Sequence, residues 1–170
     1  MAVTTDILKT WRRPGAVFRP RLAQATEPGA LAVLMGACFL IFVSQWPALS
    51  RQAYLAQIAA EQVGTPPDQV PQLQALIGIN LFVLMFMAPL IFYAIAWLSG
   101  VVLRAFGRPV APLGARMALF WALLATAPLM LFQGLIAGFV GPGPALTVVG
   151  FLVLLAFLWL WQRLLREAMA

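Results

Sequence analysis

The sequence predicts an all-α fold: an integral membrane bundle of four transmembrane helices with short interfacial helices and both termini in the cytoplasm. The first observation is composition, since 63% of the 170 residues are hydrophobic and 9% are charged, against roughly 25% charged residues in soluble domains. The second is a set of four long apolar runs separated by helix breakers. The third is the placement of nearly all basic residues on one side of such a bundle.

Residues 1–28 contain no apolar run and are predicted to form a cytoplasmic, basic, amphipathic segment. One face of a short helix would be apolar and the remainder cationic, with Ile7, Leu8 and Trp11 set against Lys9, Arg12 and Arg13. This pattern is typical of a helix lying in the membrane interface. The alternative is a mobile basic arm, because so short a helix is marginal without a surface to bind.

Residues 29–165 are predicted to form the bundle, since a crossing helix needs roughly 20 apolar residues. The four spans cover about 29–49, 75–103, 116–139 and 145–162. The second span is long for one crossing, and Pro89 near its middle predicts a kink. The short Gly-Pro-Gly-Pro link makes the third and fourth spans antiparallel neighbours. Residues 163–170 form the predicted cytoplasmic tail.

The outer loop is predicted to cover residues 50–74 and to contain a helix lying on the surface. Tyr54, Leu55 and Ile58 recur there at helical spacing, before a turn that begins at Gly64. Spacing alone leaves open whether the apolar side of this helix meets lipid, the bundle or another protein.

Orientation follows from the excess of Lys and Arg that marks cytoplasmic loops. With four spans, one side of the membrane holds ten basic residues and the other holds Arg51 alone. The ten are Lys9, Arg12, Arg13, Arg19, Arg21, Arg104, Arg108, Arg116, Arg163 and Arg166. Both termini are therefore predicted to be cytoplasmic, in a bacterial inner membrane.

The basic and aromatic residues near the ends of the spans are predicted to anchor the bundle in the interface. The anchors are Trp11, Arg12, Arg13, Arg104, Arg108, Arg116, Trp159 and Trp161. Their expected partners are anionic lipid headgroups, with other integral membrane proteins as further partners. Nucleic acid is not expected, because the cations lie between apolar runs and do not form a polar binding face.

Helix packing is predicted at Gly134 and Gly138, a small-xxx-small pair that lets two backbones approach closely. Ala118 and Ala122 extend the run of small residues toward the start of the same span. The expected partner is the fourth span, which the short link already holds nearby. A contact with another subunit is the alternative, because the same motif serves dimers.

No catalytic, cofactor-binding or metal-binding residue is predicted, and no cofactor is expected. The chain has no histidine, and its one cysteine, Cys38, is interpreted as a small packing residue. Asn80 and Gln133 are the best candidates among the intramembrane polar residues. Hydrogen bonding between helices is the preferred role for both, with a ligand site as the alternative.

The layout resembles the short bacterial members of the Yip family of Ypt/Rab-interacting-like membrane proteins. The segments that carry the resemblance are Asp6 to Leu8, Trp11 to Pro14, Phe42 to Pro47, Leu119 to Leu124 and Gly138 to Thr147. The resemblance implies a non-enzymatic protein with several spans that organises membranes or binds partners. Family members usually have five spans and the eukaryotic Asp-Leu-Tyr-Gly-Pro motif is absent here, so Rab binding is not implied.

The function expected from these features is that of a non-catalytic inner-membrane scaffold or accessory protein, acting through helix and lipid contacts. The alternative is a minor subunit of a larger respiratory or photosynthetic membrane complex. A small transporter is a third possibility, because mid-span prolines recur at Pro89 and Pro128. The absence of ionised residues near the membrane midplane argues against it.

Overall fold

The computed structural model describes residues 3–64, 66, 70 and 72–169. The secondary structure of these residues consists of helices and no strands. The order is α1 Val3–Arg12, α2 Pro14–Ala23, α3 Glu27–Val63, α4 Leu73–Phe82, a π turn Val83–Met87, α5 Ala88–Ala105, α6 Pro112–Phe139 and α7 Pro144–Met169. Four of the resulting spans are long and apolar enough to cross a membrane. The predicted all-α bundle of four spans is confirmed, and the chain is a multi-pass membrane protein.

The first span is much longer than predicted. Helix α3 begins where the Thr26 hydroxyl accepts a hydrogen bond from the Gly29 N–H, and it ends at Gly64, whose φ of 72° is left-handed. Its 37 residues extend for about 55 Å, whereas the hydrocarbon core is about 30 Å thick. The helix expected in residues 50–63 is present, but it is the carboxyl-terminal part of α3 and not a separate element. Its position on the membrane surface stays a prediction.

The second span is a single helical crossing from Leu73 to Ala105 with a widened turn inside it. The π turn Val83–Met87 ends with the Ala88 N–H bonded to the Val83 carbonyl. Pro89 follows directly and has no N–H to offer to the preceding turn. The local disruption predicted at Pro89 thus takes the form of a π turn, one of the recognised causes of helix bending.

Helices α3 and α6 run parallel and form the closest pair in the bundle. Near their starts the Arg116 guanidinium binds the Glu27 carboxylate at 2.6 Å. Near the other end a Cβ built on Gly134 would lie 1.8 Å from the Ser44 carbonyl oxygen, and one built on Gly138 would lie 2.3 Å from Pro47 Cβ. The two backbones therefore touch, and only glycine fits at these positions.

This contact corrects the predicted partner of the small-residue motif. Gly134 and Gly138 pack on α3, the first span, and not on the fourth span. The fourth span, α7, runs antiparallel to α6 as the short link requires, with Gly114 close to Ala168 at one end. Sequence proximity made α7 a neighbour of α6, but it did not decide which face of α6 each neighbour covers.

The amino-terminal segment is a helical hairpin, α1 and α2, that packs against α6 and α7. Phe18 of α2 is fully buried, as are Leu160 and Leu164 on α7. Ile7 of α1 is also buried, whereas its neighbour Leu8 is exposed. Because the hairpin joins α3, α5 and α7 around α6, every residue of α6 from Met117 to Ala127 is buried.

Arg51, the single basic residue at the opposite end of the bundle, caps the carboxyl end of α6. Its Nη1 donates to the carbonyls of Gly138 and Phe139 at 3.3 and 3.4 Å, at the carboxyl end of α6. Carbonyls there are left free by the helix and carry partial negative charge. Gly141, with φ of 90°, leaves room for the guanidinium, since a Cβ would lie 2.6 Å from Arg51.

We expect Arg51→Gln to lower the free energy of unfolding by about 1 kcal/mol, because the last carbonyls of α6 lose a charged donor. Unfolding in mixed micelles measures the change. Arg108→Gln is the matched control, since the Arg108 side chain is exposed and has no ion-pair partner among the described residues. Equal stability of the two variants would contradict the capping role.

Candidate lipid-headgroup site at the basic end

The two ends of the bundle differ strongly in charge. The end at which α3 and α6 begin and α7 ends, with the α1–α2 hairpin, is here called the basic end. It holds the ten basic residues named above and three acidic residues, Asp6, Glu27 and Glu167. The other end holds Arg51 with Glu61 and, by sequence, Asp68. The basic end therefore has a net charge of +7 and the other end a net charge of −1, which together give the total of +6.

Each acidic residue of the basic end forms an ion pair that connects two helices. Glu167 on α7 binds Arg19 on α2 at 2.6 Å, and Glu27 on α3 binds Arg116 on α6 at the same distance. Asp6 on α1 binds Arg21 on α2. The remaining seven cations have no ion-pair partner among the described residues, namely Lys9, Arg12, Arg13, Arg104, Arg108, Arg163 and Arg166.

A buried polar network holds the hairpin on α6. Trp121 is fully buried, and its indole N–H donates to the Thr10 hydroxyl at 3.1 Å, which in turn donates to the Asp6 carbonyl at 2.6 Å. The Arg21 guanidinium lies 4.1 Å from the centre of the Trp121 ring, within cation–π range. Arg21 therefore contacts both the Asp6 carboxylate in the hairpin and the aromatic core of the bundle.

A groove of about 900 Å³ runs between α1 and α2. Four of the residues that line it are cationic, Lys9, Arg12, Arg13 and Arg21, and one is acidic, Asp6. Ala16, Val17 and Pro20 add an apolar wall. The size lies within the range of small-ligand sites, about 300–1,000 Å³. The predicted anchors Arg12 and Arg13 thus belong to one concave surface, together with Arg21, which was not singled out.

The predicted aromatic anchors Trp11 and Trp159 stack on each other. Their ring centres are 6.3 Å apart with planes 12° apart. The Trp11 indole N–H donates to the Ala125 carbonyl at 3.1 Å, and Arg163 lies 5.6 Å from the centre of the Trp159 ring. Trp161 instead stacks on Phe157, and its buried N–H has no partner among the described residues.

The other predicted arginine anchors lie apart from this groove. Arg108 and Arg166 line a shallow surface depression together, and Arg104 lies near Arg116 beside Trp97. Arg116 itself is engaged within the protein, because it pairs with Glu27 and lies 5.5 Å from the centre of the Tyr93 ring. Arg116 thus connects α3, α5 and α6, and its contact with lipid headgroups stays a prediction.

The intramembrane polar residues do not form the bridges expected of them. Neither Asn80 nor Gln133 makes a side-chain hydrogen bond to another described residue. Gln133 faces a cavity of about 410 Å³ between α3, α6 and α7, which Ser44 and Gln45 also line. Ala118 and Ala122, the predicted packing alanines, are fully buried in α6.

Sequence reasoning missed the residues that hold the hairpin, Asp6, Thr10, Arg21 and Trp121. Asp6 and Arg21 are 15 positions apart, and Thr10 and Trp121 are 111 positions apart. No local spacing rule connects residues so distant. The available signal was the lone carboxylate of α1, which lies among cations and needs a partner once it is buried.

The described residues contain no group of three or more His, Cys, Asp or Glu side chains that could hold a metal ion. Comparison with known proteins gives no match: no family model, no curated protein and no solved structure is significantly similar to this chain. The resemblance to the Yip family stays a prediction made from the quoted segments.

Proposed function

We propose that this chain is a non-catalytic scaffold or accessory protein of a bacterial inner membrane, with both termini in the cytoplasm. It works through contacts with lipid headgroups at the basic end and through lateral contacts with other membrane helices. The observation that supports this most is the charge asymmetry: seven cations without ion-pair partners among the described residues gather at one end of the bundle. Cytoplasmic loops and anionic leaflets favour this arrangement.

The exposed helix faces support the lateral contacts. The second span and α7 are the least enclosed, since only 11% of the most apolar 18-residue stretch of each is buried, against 56% for α6. Exposed apolar side chains on the second span include Phe82, Phe86, Leu90 and Trp97. Such a surface needs lipid or another membrane protein around it.

The test is extraction from native membranes into polymer-bounded nanodiscs, followed by lipid analysis and protein mass spectrometry. We expect the discs to be enriched in anionic phospholipid over the bulk membrane. We also expect the chain to be found as a self-oligomer or with other integral membrane proteins. A monomer surrounded by lipid of bulk composition would contradict the proposed function.

A further inference from the structure

We propose that the groove between α1 and α2 binds one phosphate-bearing lipid headgroup, and that the bound headgroup stabilises the hairpin on the bundle. The inference rests on the proposed function, which places the basic end at the headgroup level. It goes further by assigning one site, one ligand chemistry and one structural consequence.

The groove concentrates positive charge that the protein leaves uncompensated. Arg12 and Arg13 stand three and four positions after Lys9, so the three cations lie on one side of the hairpin and repel one another. The carboxylate of the groove, Asp6, is already bound to Arg21. A phosphate group would satisfy several of these cations at once, and arginine binds phosphate oxygens through paired N–H groups.

The groove is also part of the contact that holds the hairpin on the bundle. Arg21 lines the groove, binds Asp6 and lies over the Trp121 ring. Thr10, on the same helix as Lys9, accepts from the Trp121 indole. A ligand that binds the groove while the hairpin is packed on α6 therefore stabilises the packed state, because binding to one state stabilises that state.

The surroundings of the groove favour a lipid over free phosphate as the source of the anion. Trp11 directly precedes the groove residues Arg12 and Arg13 in the chain and stacks on Trp159, and tryptophan prefers the boundary between headgroups and acyl chains. The wall of Ala16, Val17 and Pro20 offers apolar surface to the uncharged part of a headgroup. A soluble phosphate ion would leave this wall unused.

The first experiment counts bound lipids by native mass spectrometry of the purified full-length chain in neutral detergent, with phosphatidylglycerol or phosphatidylcholine added. We expect one phosphatidylglycerol to survive delipidation. Joint replacement of Lys9, Arg12 and Arg13 by Gln weakens its binding at least about tenfold. These three side chains form no ion pair or side-chain hydrogen bond with other described residues, so the variant retains the contacts of the fold.

The matched control removes three exposed cations at the same end but outside the groove, with Gln at Arg104, Arg108 and Arg166. We expect this variant to hold fewer loosely bound anionic lipids and to keep the one that survives delipidation. Equal loss of that lipid in both triple variants would overturn the single-site proposal. The enrichment of anionic lipid around the parent chain in nanodiscs is a separate measurement and would not be changed by that result. Failure of this inference is therefore distinguishable from failure of the proposed function.

The second experiment measures hydrogen exchange of α1 and α2. Phosphatidylglycerol is expected to slow their exchange relative to phosphatidylcholine in the parent chain and in the control variant, but not in the groove variant. Inorganic phosphate is the third arm. If inorganic phosphate slowed exchange as strongly as phosphatidylglycerol and displaced the bound lipid, the lipid assignment would be overturned. The absence of any effect of phosphate at equal concentration supports that assignment.

Discussion

Replacing Gly134 by alanine is expected to lower the free energy of unfolding by about 3 kcal/mol or more, the upper end of the cost of overpacking. The new methyl group would lie 1.8 Å from the Ser44 carbonyl oxygen, a backbone atom that cannot move aside as a flexible side chain can. Helices α3 and α6 would have to separate. The intrinsic preference of helices for alanine, worth about 1 kcal/mol, does not offset this loss.

Gly100→Ala is the control, because a Cβ at Gly100 meets no atom within 4 Å. We expect this variant to be as stable as the parent chain or more stable by up to about 1 kcal/mol. Unfolding in mixed micelles compares the two substitutions under one condition. If both alanines had the same effect, the direct contact between the α3 and α6 backbones would be refuted.

Replacing Trp121 by alanine is expected to cost about 3–5 kcal/mol, as for other fully buried large side chains. It also removes the donor to Thr10 and the ring under Arg21. The hairpin should then leave α6, so that trypsin cleaves after Lys9 and Arg12 faster than in the parent chain. Unfolding in mixed micelles and timed proteolysis measure the two effects.

Two further variants separate the parts played by the Trp121 side chain. Trp121→Phe keeps an aromatic ring but loses the N–H, and we expect a smaller cost of about 1 kcal/mol from the lost hydrogen bond, beyond the change in volume. Trp97→Ala removes an exposed indole, 65% accessible, and should leave hairpin proteolysis unchanged. Equal proteolysis of Trp121→Ala and the parent chain would show that the hairpin is held by other contacts.

The sequence was sufficient for the features that depend on local chemistry. Apolar runs of membrane-spanning length predict four spans, and the Gly-Pro-Gly-Pro link makes α6 and α7 antiparallel neighbours. The clustering of basic residues at one end follows from the same span count. Pro89 predicted a disturbance in the second span, and the π turn lies directly before it.

The features that depend on tertiary contacts were not predictable in the same way. Gly134 and Gly138 marked a close helix contact, but small residues do not specify their partner, and that partner is α3. Residues 50–63 contain apolar side chains at helical spacing whether the helix lies flat or continues the span. Arg51 showed only as an isolated charge, because the carbonyls that it caps belong to a helix 87 residues away.

The most direct test of the proposed orientation is cysteine labelling in intact cells with a membrane-impermeant maleimide. Ala111→Cys and Ala59→Cys place exposed thiols at the basic end and at the opposite end, and buried Cys38 of the parent chain gives the background. We expect Ala59→Cys to be labelled in intact cells and Ala111→Cys only after the membrane is permeabilised. Labelling of Ala111→Cys in intact cells would contradict a cytoplasmic basic end.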